Sequence, residues 1–175
     1  MADGRPAMRR NKLSVPAQYI PRDTDKCTVL DYGCGRGDDV RLLKEEGFRV
    51  VVGWDPAHQP KIPPMSPQIY DHVLMSYVLN VIEDPVERAN ALIKASALAL
   101  KTIVIGCRIS RDQSKKEREN STQRGDGWIT AAGTFQWYGV TQIVEGFLDY
   151  CLDKQFTLTS HPHANVWIYT RKEEK

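Results

Sequence analysis

Short apolar runs alternate with amphipathic stretches along most of the chain, and this alternation predicts its secondary structure. Runs rich in strand-forming residues predict strands at CTVLDYG, RVVVGWD, DHVLMSYVL and TIVIGC. Helical periodicity is found in DDVRLLKEEGF, DPVERANALIKASALALK and VTQIVEGFLDYCL, and FTLTS with NVWIYTR predicts a closing antiparallel pair. Strands that alternate with helices predict an α/β fold, with a doubly wound, mostly parallel sheet that ends in an antiparallel hairpin.

Three regions lack this periodicity. Residues 1–26 combine proline and charge, so we expect an N-terminal arm before a single domain over residues 27–175. The fifteen residues after Asp55, PAHQPKIPPMSPQIY, contain too much proline for a regular helix. The Rossmann-like sheet is therefore expected to have a compact or missing third-strand region. The glycine-rich and aromatic stretch GDGWITAAGTFQWYG is predicted to be a loop.

Composition narrows the class of protein. With 175 residues, 41% of them hydrophobic and 26% charged, the chain has the makeup of a globular domain. No apolar run approaches the roughly 20 residues of a membrane span, and the first twenty residues lack the apolar centre of a secretory signal. We therefore expect a cytoplasmic protein. The four cysteines form no CxxC pair, which favours reduced thiols over a disulfide framework or a metal site.

The stretch VLDYGCGRGDDVRLL places three alternate glycines, Gly33, Gly35 and Gly37, between the first predicted strand and the first helix. Strand, glycine turn and helix in this order are typical of nucleotide binding. The dinucleotide fingerprint would have its third glycine at Asp38, and an acid there would repel a pyrophosphate at the helix N-terminus. A dinucleotide-dependent oxidoreductase is therefore the least favoured interpretation.

S-adenosylmethionine (SAM) carries no phosphate and suits this turn better. Asp31, at the end of the first strand, can attract the ammonium group of SAM, and the glycines allow its methionine part close to the backbone. Asp55 ends the next strand, where an acid can accept both ribose hydroxyls. The alternatives are a turn-forming role for Asp31 and a loop cap for Asp55.

These motifs also resemble a known family. VLDYGCGRG and VGWD resemble the first two motifs of the class I SAM-dependent methyltransferases, and YDHVLMSYVLNVIEDPVER resembles the region around their fourth strand. LDYGCGRGDDVRLL, GWDP, VLNVIEDPVERANAL and GDGWITAAGTFQ are most similar to methyltransferases associated with DNA phosphorothioation gene clusters. The resemblance implies methyl transfer from SAM. The implied cofactor-binding residues are Asp31, Gly33, Gly35 and Asp55, with Cys34 as a small residue of the turn and Tyr77 at the flank of the cofactor.

The sequence identifies no catalytic residue and leaves the acceptor undetermined. Enzymes that methylate exocyclic amines of DNA carry [DN]PP[YFW] after the fourth strand, where this chain reads SYVLN. Val81 stands where many small-molecule methyltransferases have a histidine. Nucleic acid is a candidate partner on two grounds. The first is the gene-cluster resemblance. The second is the basic residues, which occur in CRISRDQSKKERENSTQR and, near the start of the chain, as Arg5, Arg9, Arg10 and Lys12. A small-molecule methyltransferase and a cofactor-binding regulatory module without catalysis stay open.

A few further side chains are candidates for the acceptor side. Asp126 follows the basic stretch and is expected to border the acceptor. Aromatic residues near it either stack on a planar substrate or cover the sheet as core; they are Trp128, Phe135, Trp137 and Tyr138. His161 and His163 are predicted to lie in the final hairpin turn, as solvated residues or, with a third ligand, as a metal site.

Overall fold

The computed structural model describes residues 9–22, 26–60 and 69–173. Its strands are β1 (Thr28–Tyr32), β2 (Val50–Trp54), β3 (Tyr70–Ser76), β4 (Ala99–Gly106), β5 (Thr122–Arg124), β6 (Gly127–Ile129), β7 (Phe135–Gln136), β8 (Phe156–His163) and β9 (Val166–Arg171). Its α-helices are α1 (Asp38–Glu45), α2 (Pro85–Ala97), α3 (Lys115–Glu119) and α4 (Thr141–Leu152). Short 3-10 helices are formed by Pro16–Tyr19, Leu79–Val81 and Ser110–Asp112.

Six strands form the main sheet in the order β2-β1-β3-β4-β9-β8. The pairs β1–β2, β1–β3 and β3–β4 are parallel, whereas β9 is antiparallel to both β4 and β8. The predicted fold class is therefore confirmed, including the C-terminal hairpin. Within the described residues β2 is an edge strand, and part of the proline-rich stretch that follows it, residues 61–68, lies outside them.

Both faces of the sheet are covered, which explains the continuous apolar runs of its central strands. One face packs against α2 and α4 through residues such as Leu30, Ile103 and Leu148. The opposite face packs against α1 and the N-terminal 3-10 helix through residues such as Val29 and Leu43. In the part of the chain that is described, no helix is both long and apolar enough to cross a membrane.

The N-terminal segment, residues 9–22, lies against the sheet. Ala17 and Ile20 are buried in the same core cluster as Val29 of β1. Pro16 approaches β4 so closely that a Cβ atom on Gly106 would lie 2.1 Å from its Cγ atom. The predicted domain boundary at residue 27 stays a prediction, but this segment belongs to the packed core.

Three local predictions were wrong. The second helix ends at Ala97 instead of Lys101, because Ala99 pairs with Tyr70 and begins β4. The glycine-rich stretch predicted to be a loop contains β6 and β7, and β6 pairs with both β5 and β7 in a small antiparallel sheet. His161 and His163 lie within β8, because the final hairpin is longer than predicted. In each case strand pairing overrode the local propensity.

Candidate functional site

A cleft of about 2180 Å³ lies at the carboxyl ends of the parallel strands. Three of the parallel strands are each directly followed by a residue that lines the cleft: Gly33 after β1, Asp55 after β2 and Tyr77 after β3. Arg108, two residues after the end of β4, lines it as well. Asp31, Cys34 and Gly35 also line the cleft. The structure therefore brings all six predicted cofactor-binding residues to one place, where doubly wound sheets bind their ligands.

The glycine turn needs its glycines because the backbone is left-handed at three of them. Gly33, Gly35 and Gly37 have φ angles of 84°, 54° and 79°. The backbone N–H groups of Gly33 and Cys34 donate to the carbonyl oxygen of Trp54 at 2.7 and 3.0 Å. The turn is therefore tied to the end of β2, which carries Asp55.

We expect Gly33→Ala to lower the free energy of unfolding by roughly 2 kcal/mol, because a left-handed non-glycine residue costs roughly 1–2 kcal/mol before any clash. Its Cβ atom would lie 2.4 Å from Cγ2 of Val78. Urea unfolding measures the change. Gly125→Ala is the control, since Gly125 is also left-handed but has open space around it. Equal losses in the two variants would contradict the importance of the Val78 contact.

Asp31 is a buried carboxylate that lacks a full set of partners. The residue is 1% exposed, and its Oδ1 atom has no hydrogen-bond partner among the described residues. Burial raises the pKa of Asp31 well above its usual value, and the nearby Asp39 and Asp55 raise it further, whereas Arg10 lowers it. A cationic ligand group at this oxygen would supply the missing partner.

Asp55 is already held by the backbone of its surroundings. Its Oδ2 atom accepts a hydrogen bond from the N–H of Gly35 at 3.1 Å, and its Oδ1 atom accepts from the N–H groups of Ala57 and His58, both at 2.9 Å. Nδ1 of His58 lies 3.0 Å from Oδ1. Burial raises the pKa of Asp55, but these hydrogen bonds outweigh it and leave the pKa lowered.

Asp55 is therefore a loop cap, one of the two roles expected for it. The ribose role stays a prediction that the geometry allows. Asp55 lines the cleft, and within the described residues its Oδ2 atom accepts one hydrogen bond, which leaves this oxygen one further lone pair.

Tyr77 and Cys34 complete the predicted set. Tyr77 has a φ angle of 61°, a left-handed backbone that no other described non-glycine residue adopts. Its N–H donates to the carbonyl of Gly106 at 2.9 Å, and burial raises the pKa of its hydroxyl, so the phenol is neutral. Burial likewise raises the pKa of Cys34 to about 12, so its thiol is not a nucleophile at neutral pH.

The small sheet of β5, β6 and β7 forms the far wall of the cleft, and Arg88 of α2 holds it in place. The guanidinium of Arg88 donates to both carboxylate oxygens of Asp126, at 2.7 and 3.2 Å, and to the carbonyl of Ile82 at 2.9 and 3.1 Å. It also lies 4.3 Å from the ring centroid of Trp137. Asp126 lines the cleft, and its carboxylate is paired with Arg88; that it borders the acceptor stays a prediction.

The sequence interpretation missed Arg88, although a signal was available. Arg88 shares one helix face with Leu92 and Ala95, which are fully buried. An arginine within an apolar stripe predicts a buried guanidinium with polar partners.

Asn80 joins three loops at the base of this wall. Its Oδ1 atom accepts from the N–H of Arg108 at 2.8 Å, and its Nδ2 atom donates to the carbonyls of Arg108 and Trp137 at 3.0 and 2.6 Å. The N–H of Trp137 donates to the carbonyl of Asn80 at 2.7 Å. The loops after β3, β4 and β7 are thereby held in one arrangement.

The remaining candidates play structural roles. Phe135, Trp137 and Tyr138 are buried, and Phe135 and Trp137 belong to the core. Of these three only Phe135 also lines the cleft, and Trp128 does not line it. His161 stacks on Trp167 with ring centroids 4.8 Å apart. His163 contacts Asn165 through Nδ1 at 2.6 Å. Arg5, the first of the basic N-terminal residues, lies outside the described residues.

Comparisons with known proteins agree with this geometry. A family described as methyltransferase domain matches residues 5–141. No curated protein matches the chain in sequence. Among solved structures, magnesium protoporphyrin IX methyltransferase from Synechocystis PCC 6803, with S-adenosylhomocysteine bound, is 17% identical, with a TM-score of 0.58 over 83% of this chain and 74% of that chain.

Two further solved structures share the fold. The 1,6-didemethyltoxoflavin-N1-methyltransferase of Burkholderia thailandensis is 18% identical, with a TM-score of 0.58 over 84% of this chain and 72% of that chain. An amino pentose methyltransferase from Micromonospora echinaspora is 14% identical, with a TM-score of 0.56 over 89% of this chain and 88% of that chain.

Proposed function

Because the chain belongs to the methyltransferase-domain family, we propose that it is a SAM-dependent methyltransferase whose acceptor is a small molecule. The observation that carries the cofactor assignment is the buried Asp31 carboxylate with its unpartnered Oδ1 atom. SAM offers an ammonium group that would satisfy this oxygen. The two acids that begin α1, Asp38 and Asp39, suit a ligand without phosphate.

The residues of the cleft fit the parts of SAM in order along the strand ends. Asp31 near the end of β1 would hold the ammonium, the glycine turn would admit the methionine part, and Asp55 after β2 would accept a ribose hydroxyl at its Oδ2 atom. When bound, SAM supplies a methyl group on a sulfonium, which is already activated for transfer. The protein then needs mainly to orient the acceptor in line with this methyl group.

The charges around the cleft favour a small acceptor over a polyanion. Several basic residues of the segment 107–124 are paired with acids: Arg108 with Glu117 at 3.2 Å, Lys115 with Glu119 at 3.8 Å and Arg124 with Glu83 at 2.6 Å. These pairs weaken the positive potential on which phosphate-backbone binding depends. The solved structures named above are methyltransferases of magnesium protoporphyrin IX, 1,6-didemethyltoxoflavin and an amino pentose, all of them small molecules.

Nucleic acid is the second candidate acceptor. Arg111, Lys116 and Arg118 are exposed on the segment beside the cleft. The resemblance to methyltransferases associated with DNA phosphorothioation clusters supports DNA in particular. Such an acceptor requires that transfer weaken steeply as salt rises, because phosphate contacts release counterions.

Binding of the cofactor is tested by calorimetric titration with S-adenosylhomocysteine. We expect Asp55→Ala to weaken binding about tenfold, since the bond from a ribose hydroxyl is made to a charged oxygen. Asp71→Ala is the matched control: Asp71 caps Thr28 at the opposite end of the sheet and pairs with Lys101. Equal affinities for both variants and the wild type would contradict the role of Asp55.

The acceptor is tested with SAM that carries a labelled methyl group. The protein is incubated with a panel of small amines, hydroxyl compounds and ring N–H heterocycles, and in parallel with DNA and RNA over a salt series. Labelling of a small molecule, with weak salt dependence, supports the first candidate. Labelling confined to nucleic acid overturns it, and cofactor binding without any transfer favours a regulatory module.

A further inference from the structure

The N-terminal segment delivers one side chain, Arg10, into the cleft beside Asp31. The N–H of Arg10 donates to Oδ2 of Asp38 at 2.7 Å, and its carbonyl accepts from Nη2 of Arg41 at 3.1 Å. Four residues further on, the N–H of Ser14 donates to Oδ1 of Asp39 at 2.8 Å. The first turn of α1 therefore holds the main chain on both sides of Arg10.

This clamp gives Asp38 and Asp39 a function. They occupy the start of α1, where a phosphate would bind in a dinucleotide site. Here their carboxylates accept hydrogen bonds from the N-terminal segment instead. The same two acids therefore replace the dinucleotide fingerprint and hold the segment that carries Arg10.

The guanidinium of Arg10 remains accessible from the cleft. Its side chain is 33% exposed and lines the same cleft as Asp31 and Tyr77. Nη1 lies 3.3 Å from Oδ2 of Asp39, a long contact for a charged pair, and the guanidinium lies 6.0 Å from the ring centroid of Tyr77. A guanidinium has five N–H donors, so one contact leaves donors for a ligand.

The buried carboxyl group of Asp31 and the partly exposed guanidinium of Arg10 thus line the same cleft. An α-amino acid group carries the complementary pair of charges, an ammonium beside a carboxylate. We propose that Arg10 binds the α-carboxylate of SAM while Asp31 binds its ammonium, so that the N-terminal segment completes the cofactor site. This inference rests on the proposed function and extends it to a residue outside the glycine turn.

The experiment compares two probes, SAM and decarboxylated SAM, which keeps the sulfonium, the adenosine and the ammonium but lacks the carboxylate. The affinities of both probes are measured by calorimetry for the wild type, Arg10→Ala, Arg10→Lys and Arg22→Ala. We expect Arg10→Ala to weaken SAM binding about tenfold and to leave decarboxylated SAM within about twofold. Arg10→Lys should retain part of the preference for SAM over decarboxylated SAM, because a lysine keeps the charge without the planar pair of donors.

Arg22→Ala is the matched control. Arg22 belongs to the same segment but pairs with Glu46 and lies 5.5 Å from the ring centroid of Phe48, away from the cleft. It should leave both affinities unchanged. If Arg10→Ala weakens the binding of both probes equally, or of neither, Arg10 does not bind the carboxylate and the inference is overturned. If the wild type binds neither probe, the proposed function itself fails.

Discussion

Asp31→Asn is expected to weaken SAM binding about 50-fold to 100-fold and, at the same time, to stabilise the ligand-free protein. The ammonium of SAM loses a charged, fully desolvated partner, which places the loss at the upper end of the range for charged hydrogen bonds. Without ligand, the carboxylate is buried with an unpartnered oxygen near Asp39 and Asp55. Removing its charge should raise the free energy of unfolding by roughly 1–2 kcal/mol.

The pH dependence of stability follows from the raised pKa of Asp31. A buried acid whose pKa is raised in the folded state holds its proton to higher pH than the unfolded chain does. Its contribution to stability is therefore greatest below the ordinary aspartate pKa and falls as pH rises through the raised pKa of the folded state. Urea unfolding at a series of pH values should show this decline in the wild type and a smaller one in Asp31→Asn.

Cofactor affinity should change in the opposite direction with pH. Below the raised pKa of Asp31 the carboxyl group is neutral and no longer attracts the ammonium of SAM, so wild-type affinity should fall as pH is lowered. Calorimetry of both proteins over the same pH series measures this. If Asp31→Asn destabilises the ligand-free protein and binds SAM normally, Asp31 is a structural residue and the cofactor assignment is wrong.

Arg88→Ala is expected to lower the free energy of unfolding by about 3 kcal/mol, because it removes the buried partner of an ion pair together with its other contacts. Arg88 is 1% exposed, and its loss leaves the carbonyl of Ile82 without its partner and removes the packing against Trp137. Asp126, at 41% exposed, can regain water, which keeps the loss at the lower end of the range for buried pairs. Urea unfolding measures the change.

Asp126→Asn separates the contribution of Asp126 from that of Arg88, and hydrogen exchange shows which part of the chain Arg88→Ala destabilises. Asp126→Asn should cost less than about 1 kcal/mol, because Asp126 is solvated and an amide oxygen can still accept one bond. In Arg88→Ala, exchange should accelerate over residues 121–136, and methyl transfer should slow while SAM affinity stays within about twofold. If exchange accelerates uniformly along the chain, or if SAM affinity falls as much as methyl transfer does, Arg88 does not act through the small sheet of β5, β6 and β7.

Much of the cofactor half of the site was predictable because it is encoded locally. A continuous apolar run predicts a strand buried on both faces, and Asp31 and Asp55 each stand at the end of such a run. Parallel strands end at the same edge of a sheet, so the two acids had to lie near each other. The left-handed backbone of Gly33 and Gly35 likewise follows from the tight turn that the alternate glycines predict.

The far wall of the cleft could not be predicted, because its contacts join distant segments. The Arg88–Asp126 pair spans 38 residues, the Asn80–Trp137 bond spans 57, and β6, which begins at the last glycine of GDG, forms through pairing with β5. Helix periodicity indicates that a side chain is buried. It does not indicate which partner will satisfy that side chain.

The sequence by itself determined the alternation of strands and helices, the glycine turn and the two acids at neighbouring strand ends, because residue spacing and backbone sterics act over a few residues. Only the tertiary structure decided that Oδ1 of Asp31 lacks a partner among the described residues and that Asp55 caps a loop. It also decided that Arg10 lines the cleft, held by Asp38 of α1, which is 28 residues away in sequence. Burial and charge pairing depend on which surfaces meet when the chain packs, and that choice is made by the whole fold.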